Sequence, residues 1–267
     1  MGVLTDYDAY CFDLDGTIYL GDELLPGVKE TLAQLRRNEK KVLFITNSPT
    51  LTRESGRNRL VTMGIEAELE EVLTAPYLAA RYFMTISPDA SVFVVGEEAV
   101  VAELHQHSIQ TTANPLAASH VLVGLDRSFT YKHLQQAMDA VRNGAKLIVT
   151  NPDPVCPVPG GFIPDTMSLA KAIEVASGQG ICEVVGKPYP IYGNTMMELL
   201  EIHPEKILVI GDRLETDIQL GITKGFGTCL VLTGIAKKED LTNSTIQPDY
   251  VIRSLEELVG VSIGGNI

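Results

Sequence analysis

The stretch that decides the reading is YCFDLDGTIYL, residues 10–20. An apolar run leads in and another leads out, with Asp13, Asp15, Gly16 and Thr17 between them. A strand that reads as buried and ends on two carboxylates needs a physical reason. Carboxylates leave water at a cost and repel at close range. The pair is tolerable if a hard cation lies among the oxygens, or if one carboxyl keeps a proton. A two-residue spacing lets both side chains leave the strand end toward one side. Gly16 lets the backbone turn away through a conformation other residues resist.

Outward from this stretch, short β-rich runs alternate with longer helical patterns. The strands are AYCF (9–12), KVLFIT (41–46), SVFVV (91–95), HVLVG (120–124), KLIVT (146–150), CEVVG (182–186), KILVIG (206–211) and TCLVLT (228–233). The helical patterns include PGVKETLAQLRRN (26–38), with Pro26 near its start, and LTRESGRNRLVTMG (51–64), ending at Gly64. Continuous apolar strands between amphipathic helices predict an α/β fold with parallel sheet. Two stretches have linker composition, ISPDAS (86–91) and SGQG (177–180). The expected organisation is a discontinuous core, residues 1–87 plus 181–267, with a smaller α/β domain, 88–180, inserted.

Composition narrows the partners. Of 267 residues, 21 are Lys or Arg and 34 are Asp or Glu, a formal net charge of −13. A field of that sign disfavours nucleic acid and anionic membranes as partners. An anion can still bind at a local positive site or through a metal ion. Cys11, Cys156, Cys182 and Cys229 form no C-x-x-C pair, so buried free thiols are expected rather than a disulfide framework or zinc site. No signal peptide and no apolar run of spanning length is legible, and a cytoplasmic protein is expected.

The chemistry gathers at strand ends. AYCF runs into Asp13, KVLFI into Thr46 and Asn47, CEVVG into Lys187, and KILVIG into Asp212, with Asp217 five residues on. In an open parallel sheet the ligand crevice lies at the carboxyl ends of the strands. Three acids suit a hard cation, and Mg²⁺ takes few protein carboxylates, several waters and a substrate phosphate. Lys187 supplies a point charge suited to phosphate, and Thr46 and Asn47 supply neutral donors. Metal, lysine and donors together make a phosphoryl clamp.

At this point DLDGT (13–17), TNS (46–48), GKP (186–188) and GDRLETD (211–217) resemble the four motifs of the haloacid dehalogenase superfamily, in order and spacing. More narrowly, they resemble its NagD / p-nitrophenyl phosphatase branch. The resemblance implies a Rossmann-like core, a cap in the inserted segment, and TNPDP (150–154) as a substrate-facing cap loop containing Asn151 and Asp153. It also implies Mg²⁺-dependent hydrolysis of a small phosphomonoester: a sugar phosphate, a nucleoside monophosphate or a phosphoglycolate-like molecule. Asp13 would be the nucleophile and Asp15 the acid and base. Asp13, Asp212 and the Asp15 carbonyl would hold the metal, supported by Asp217. Thr46, Asn47, Ser48 and Lys187 would hold the phosphoryl group. A homodimer through the cap is a further implication.

Other signals are weaker. His105 and His107 sit two apart on a predicted helix and read as surface residues. TKGFGT (223–228) lacks the phosphate-loop pattern, and Gly225 or Gly227 is expected to end a helix. The Pro-rich run NPDPVCPVPGGFIPD (151–165) suits a stiff loop used in substrate discrimination. A phospho-accepting receiver module would also cluster aspartates with a Thr and a Lys. An acid two residues from the nucleophile and an inserted domain both argue against it. A phosphotransferase or mutase on the same fold stays open, to be separated by its products. A catalytically dead binding protein is disfavoured because each expected catalytic residue is present.

Overall fold

The computed structural model describes residues 6–158 and 161–260. Pro159 and Gly160 of the Pro-rich run lie outside the described residues. The chain is α/β and divides into two compact units. One comprises residues up to Thr46, Arg57–Leu73 and Tyr192 onward. The other comprises Asn47–Gly56 and Thr74–Ile191.

The first unit is built on a six-stranded parallel sheet. Its order is Tyr250–Ile252, Gly227–Val231, Ile207–Gly211, Ala9–Asp13, Lys41–Ile45, Val72–Leu73. All five residues of Ala9–Asp13 are buried, as expected where a parallel sheet is covered on both faces. Alternation sends Tyr10 and Phe12 to one face, where Phe44, Leu208 and Ile210 join them. Helix Val28–Arg37 closes that face with Leu32 and Leu35, beside Leu255 and Leu258. On this scale of burial, Phe12→Ala would cost about 3–5 kcal/mol.

The second unit has its own five-stranded parallel sheet, ordered Glu183–Val184, Lys146–Val149, His120–Val123, Ser91–Val95, Gln110–Thr111. Helices Tyr131–Arg142 and Thr166–Ser177 cover one face, with Ala137, Ala140, Val141, Ala170 and Ile173 packing on Val121, Val123, Leu147 and Val149. An antiparallel hairpin, Val155–Val158 with Gly161–Pro164, follows Lys146–Val149.

Every strand expected above is present, but CEVVG sits elsewhere than grouped. Glu183–Val184 pairs with Ile148–Val149 in the second sheet, not with the strands of Asp13 and Asp212. Seven strands carry no sign in the sequence pattern: Tyr19–Leu20, Glu23–Leu24, Val72–Leu73, Gln110–Thr111 and Tyr250–Ile252, together with Val155–Val158 and Gly161–Pro164, a hairpin where a stiff loop was expected. Two- and three-residue ladders carry too little pattern to announce themselves, and their partners are chosen by packing. Helix Ala75–Ile86 and the strand Glu183–Val184 group with the second unit.

Gly225, at φ 70, ends helix Gln219–Lys224. The four cysteines are thiols, not disulfides. Cys11 and Cys229 are buried, and burial pushes their thiols well above the usual range. Cys182 is exposed and Cys156 half-buried, against the expectation that all four would be buried.

Candidate active site

Ala9–Asp13 and Ile207–Gly211 run side by side in parallel, Phe12 opposite Ile210, so Asp13 and Asp212 emerge at one edge. Asp217 arrives from the turn that follows. Carboxylate oxygens of Asp13, Asp212 and Asp217 lie within 4.8 Å of one another. The residues are 8%, 2% and 1% exposed. Leu214–Ile218 is a π-helical turn, in which the Ile218 N–H reaches back to the Arg213 carbonyl at 3.3 Å. Such widened turns recur at functional sites. Here the turn carries Asp217 inward, and Asp217 Oδ2 accepts the Arg213 N–H at 3.2 Å.

The backbone around the acids is stripped of side chains. Asp212 Oδ2 accepts the Ile235 N–H at 2.7 Å, and its carbonyl accepts the Ala236 N–H at 3.0 Å. A Cβ on Gly234 would collide with the Asp212 carboxylate, and one on Gly211 with that of Asp217. Gly16 has φ 87, and a Cβ there would lie 2.5 Å from Asp212 Oδ2. Thr233 donates its hydroxyl to the Gly16 carbonyl at 2.6 Å. The run Thr233–Ile235 was not singled out in the sequence. TGI carries no signal until its backbone N–H is seen on Asp212.

Asp15 lies beyond the strand, exposed, in a tight turn where Gly16 N–H donates to the Tyr19 carbonyl at 2.8 Å. The strand ends at Asp13, so strand alternation does not govern Asp15; the turn does. Its carboxylate is outside the three-acid cluster. Thr46 is 3% exposed at the end of its strand. Its N–H reaches the Tyr192 hydroxyl at 2.9 Å, and that hydroxyl also lies 3.0 Å from the Leu73 carbonyl. Tyr192, fully buried, was missed because a tyrosine in an apolar helix reads only as core.

The remaining candidates lie in the second unit. Lys187 is 1% exposed. Asn47 grips its backbone: Oδ1 accepts the Lys187 N–H at 2.8 Å and Nδ2 donates to the Lys187 carbonyl at 3.1 Å. Nδ2 also reaches Asp153 Oδ2 at 3.2 Å, and Asn151 Nδ2 donates to the same oxygen at 3.0 Å. The Asn47 side chain is therefore committed to holding Lys187. Asn151 and Asp153, 1% and 8% exposed, brace that hold. Ser48 Oγ shares a hydrogen bond with Thr50 Oγ1 at 3.1 Å. Burial raises the Asp165 carboxyl above its usual range, although Asp165 caps its helix through the Thr166 N–H at 2.6 Å. His105 is exposed, but His107 is half-buried, 5.4 Å from the Tyr77 ring and 2.9 Å from the Glu103 carbonyl.

With this geometry in hand, two family models match the chain. One, for haloacid dehalogenase-like hydrolases, covers residues 10–110, and a second, HAD-hydrolase-like, covers 184–258. The acid sugar phosphatase of Staphylococcus saprophyticus is 33% identical over 257 residues, 96% of this chain and 98% of that protein. The chain belongs to the haloacid dehalogenase-like hydrolases. Within them it falls in the NagD and p-nitrophenyl phosphatase branch. The p-nitrophenyl phosphatase from Archaeoglobus fulgidus superposes with a TM-score of 0.91 at 31% identity, covering 95% of this chain and 98% of that one. The glycerol phosphate phosphatase from Mycobacterium tuberculosis, solved in complex with magnesium, superposes at 0.88 with 28% identity, covering 97% and 78%.

A divalent cation fits the donor set of this haloacid dehalogenase-like hydrolase. Three buried carboxylates within 4.8 Å repel unless a positive charge lies among them. Backbone N–H groups fix one oxygen each of Asp212 and Asp217, which orients these two acids. Among the described residues, no helix is long and apolar enough to cross a membrane.

Proposed function

We propose that this protein is a Mg²⁺-dependent phosphatase that hydrolyses a small phosphomonoester through an aspartyl-phosphate on Asp13. The observation that carries the reading is the buried cluster of Asp13, Asp212 and Asp217, with Asp15 exposed two residues beyond Asp13. Asp13 attacks phosphorus in line, forming the acyl-phosphate bond as the ester P–O bond breaks. Asp15 gives its proton to the departing alkoxide. It then takes a proton from a water that attacks phosphorus, releasing inorganic phosphate and restoring Asp13. Asp13, Asp212 and the Asp15 carbonyl would hold Mg²⁺, with Asp217 in support, directly or through water. The cation supplies charge that lets one anion approach another.

Lys187, Thr46 and Ser48 are proposed to hold the phosphoryl oxygens. Asn47, Asn151 and Asp153 are proposed to position Lys187. Residues 88–180 are proposed as the cap inserted in a 1–87 plus 181–267 catalytic core, because every proposed phosphoryl contact lies outside the insertion. Homodimerisation through the cap is also proposed, and light scattering tests it. Sugar phosphates, nucleoside monophosphates and phosphoglycolate-like molecules are the candidate substrates.

The test is phosphate release from a metabolite panel, with and without Mg²⁺. Stoichiometric free phosphate from a single substrate supports the hydrolase. Transfer to a second hydroxyl without free phosphate would make it a mutase or transferase.

A further inference from the structure

The carboxyl ends of the second sheet form a row of loops joined by backbone hydrogen bonds. Val185 N–H donates to Val149 O at 3.0 Å, Thr150 N–H to Val123 O at 2.9 Å, and Gly124 N–H to Val95 O at 2.8 Å. Glu97 N–H donates to Leu125 O at 3.0 Å. These bonds carry the ladder past the strands, so four loops share one edge. Lys187 lies at one end of this edge, and Asn151 and Asp153 come next. Two strands away from Lys187 stands Arg127, with Glu97 on the strand beyond.

Arg127 and Glu97 form a bidentate pair. Nε donates to Oε1 at 2.6 Å and one terminal nitrogen to Oε2 at 2.7 Å. The Arg127 backbone N–H adds a bond to Oε1 at 3.4 Å. The pairing holds the Glu97 carboxyl below its usual range. The Arg127 side chain nevertheless remains 65% exposed. Its guanidinium has one terminal nitrogen outside this fork, and the carboxylate keeps lone pairs outside it. The pair is therefore a planar donor and acceptor surface with its charge cancelled. The neighbouring Asp126 side chain is turned inward, accepting the Ser128 N–H at 2.8 Å and lying 3.3 Å from His133 Nδ1.

We propose that the Glu97–Arg127 pair determines specificity for a neutral, polyhydroxylated leaving group. This rests on the phosphatase reading above, with the phosphoryl group held by Lys187. Two strand steps are about 10 Å, a gap that a short polyol chain extending from a bound phosphoryl group can cross. Vicinal hydroxyls match a paired guanidinium and carboxylate, since each hydroxyl donates and accepts. A second anionic group would find no uncompensated positive charge there. An aryl group would leave both charged partners unpaired with ligand.

The test compares kcat/KM for glycerol 1-phosphate, 2-phosphoglycolate and 4-nitrophenyl phosphate in the full chain. The proteins are wild type, Arg127→Ala, Arg127→Lys and Glu97→Gln, with Mg²⁺ present. Arg127→Ala should lower the polyol-to-aryl ratio by about tenfold, the loss of one hydrogen bond to a charged group. Arg127→Lys should restore only part of it, because an ammonium cannot present the planar fork. Glu97→Gln leaves the Arg127 charge uncancelled and should raise the phosphoglycolate-to-polyol ratio by about tenfold. If the pair were only a staple between loops, every substrate would change together and both ratios would stay near wild type; that result overturns the proposal. A wild type that hydrolyses 4-nitrophenyl phosphate but does not favour glycerol 1-phosphate over phosphoglycolate also overturns it, and leaves the phosphatase reading intact. A wild type that releases phosphate from none of the three sinks that reading, and this proposal with it.

Discussion

Asp212 is suspended from the backbone of Ile235, whose N–H donates to Asp212 Oδ2 at 2.7 Å. The contact exists because Gly234, one residue earlier, has no Cβ; any side chain there would occupy the carboxylate's place. Gly234→Ala should therefore displace Asp212 while leaving the sheet intact. A displacement of about 1 Å near the chemistry can cost about 10²-fold in rate. The expected result is that order of loss in kcat/KM, with a raised Mg²⁺ requirement and an unchanged far-ultraviolet circular dichroism spectrum. Wild-type activity in this variant would mean Asp212 is not held as argued.

Removing the metal should abolish turnover, since Asp13, Asp212 and Asp217 would face one another uncompensated. EDTA followed by Mg²⁺ should remove and then restore phosphate release. Ca²⁺ should restore little, because it takes more ligands and often binds carboxylates bidentate, which would spoil the line of attack of Asp13. Full activity after exhaustive chelation would defeat the metal assignment.

Asp13 and Asp15 should fail differently. Asp13→Asn removes the proposed nucleophile, and no covalent intermediate should form. Asp15→Asn leaves the nucleophile and removes the proton shuttle, so alkyl phosphate turnover should fall by about 10²–10⁴-fold. With 4-nitrophenyl phosphate, Asp15→Asn should accumulate phosphoryl-Asp13, read by rapid-quench mass spectrometry of the peptide around residue 13. A label on Ser, Thr or His instead would refute the assignment.

Asp153→Ala should weaken every substrate alike. The Asp153 carboxylate receives Asn47 at 3.2 Å and Asn151 at 3.0 Å, and its loss leaves buried amides short of an acceptor. That costs about 1–3 kcal/mol and loosens the grip of Asn47 on Lys187. The kinetic signature is KM raised more than kcat is lowered, by similar factors for alkyl and aryl phosphates. A change confined to one substrate would instead put Asp153 in contact with the leaving group.

His120 gives the second unit an acid-sensitive element. It is 6% exposed, its ring 5.4 Å from Phe83 and its Nδ1 2.9 Å from Ser119 Oγ. Burial, then the charge of Lys146, holds its pKa below the usual 6.5. Below pH 6.5 the unfolded chain takes up protons that the folded chain declines. Stability is full above that pH and is lost as pH falls through the window between 6.5 and the lowered folded value. The Tm of wild type should decline across this window, and His120→Gln should flatten the decline. An unchanged slope would place the acid sensitivity elsewhere.

The residues by themselves determined the α/β class, the principal strands and the convergence of Asp13 and Asp212. Those features follow from local periodicity and from the rule that polar groups collect where parallel strands end, and both are written along the chain. Only the tertiary structure decided that Lys187 follows a strand of the second sheet, because a two-residue ladder takes its partner from packing, not pattern. Asn47, Asn151 and Asp153 became a brace around Lys187 for a related reason: residues about a hundred positions apart meet through hydrogen bonds that no local spacing encodes. Gly211 and Gly234 matter for the side chains they lack, and an absent Cβ gains meaning only when an aspartate carboxylate is seen filling its place.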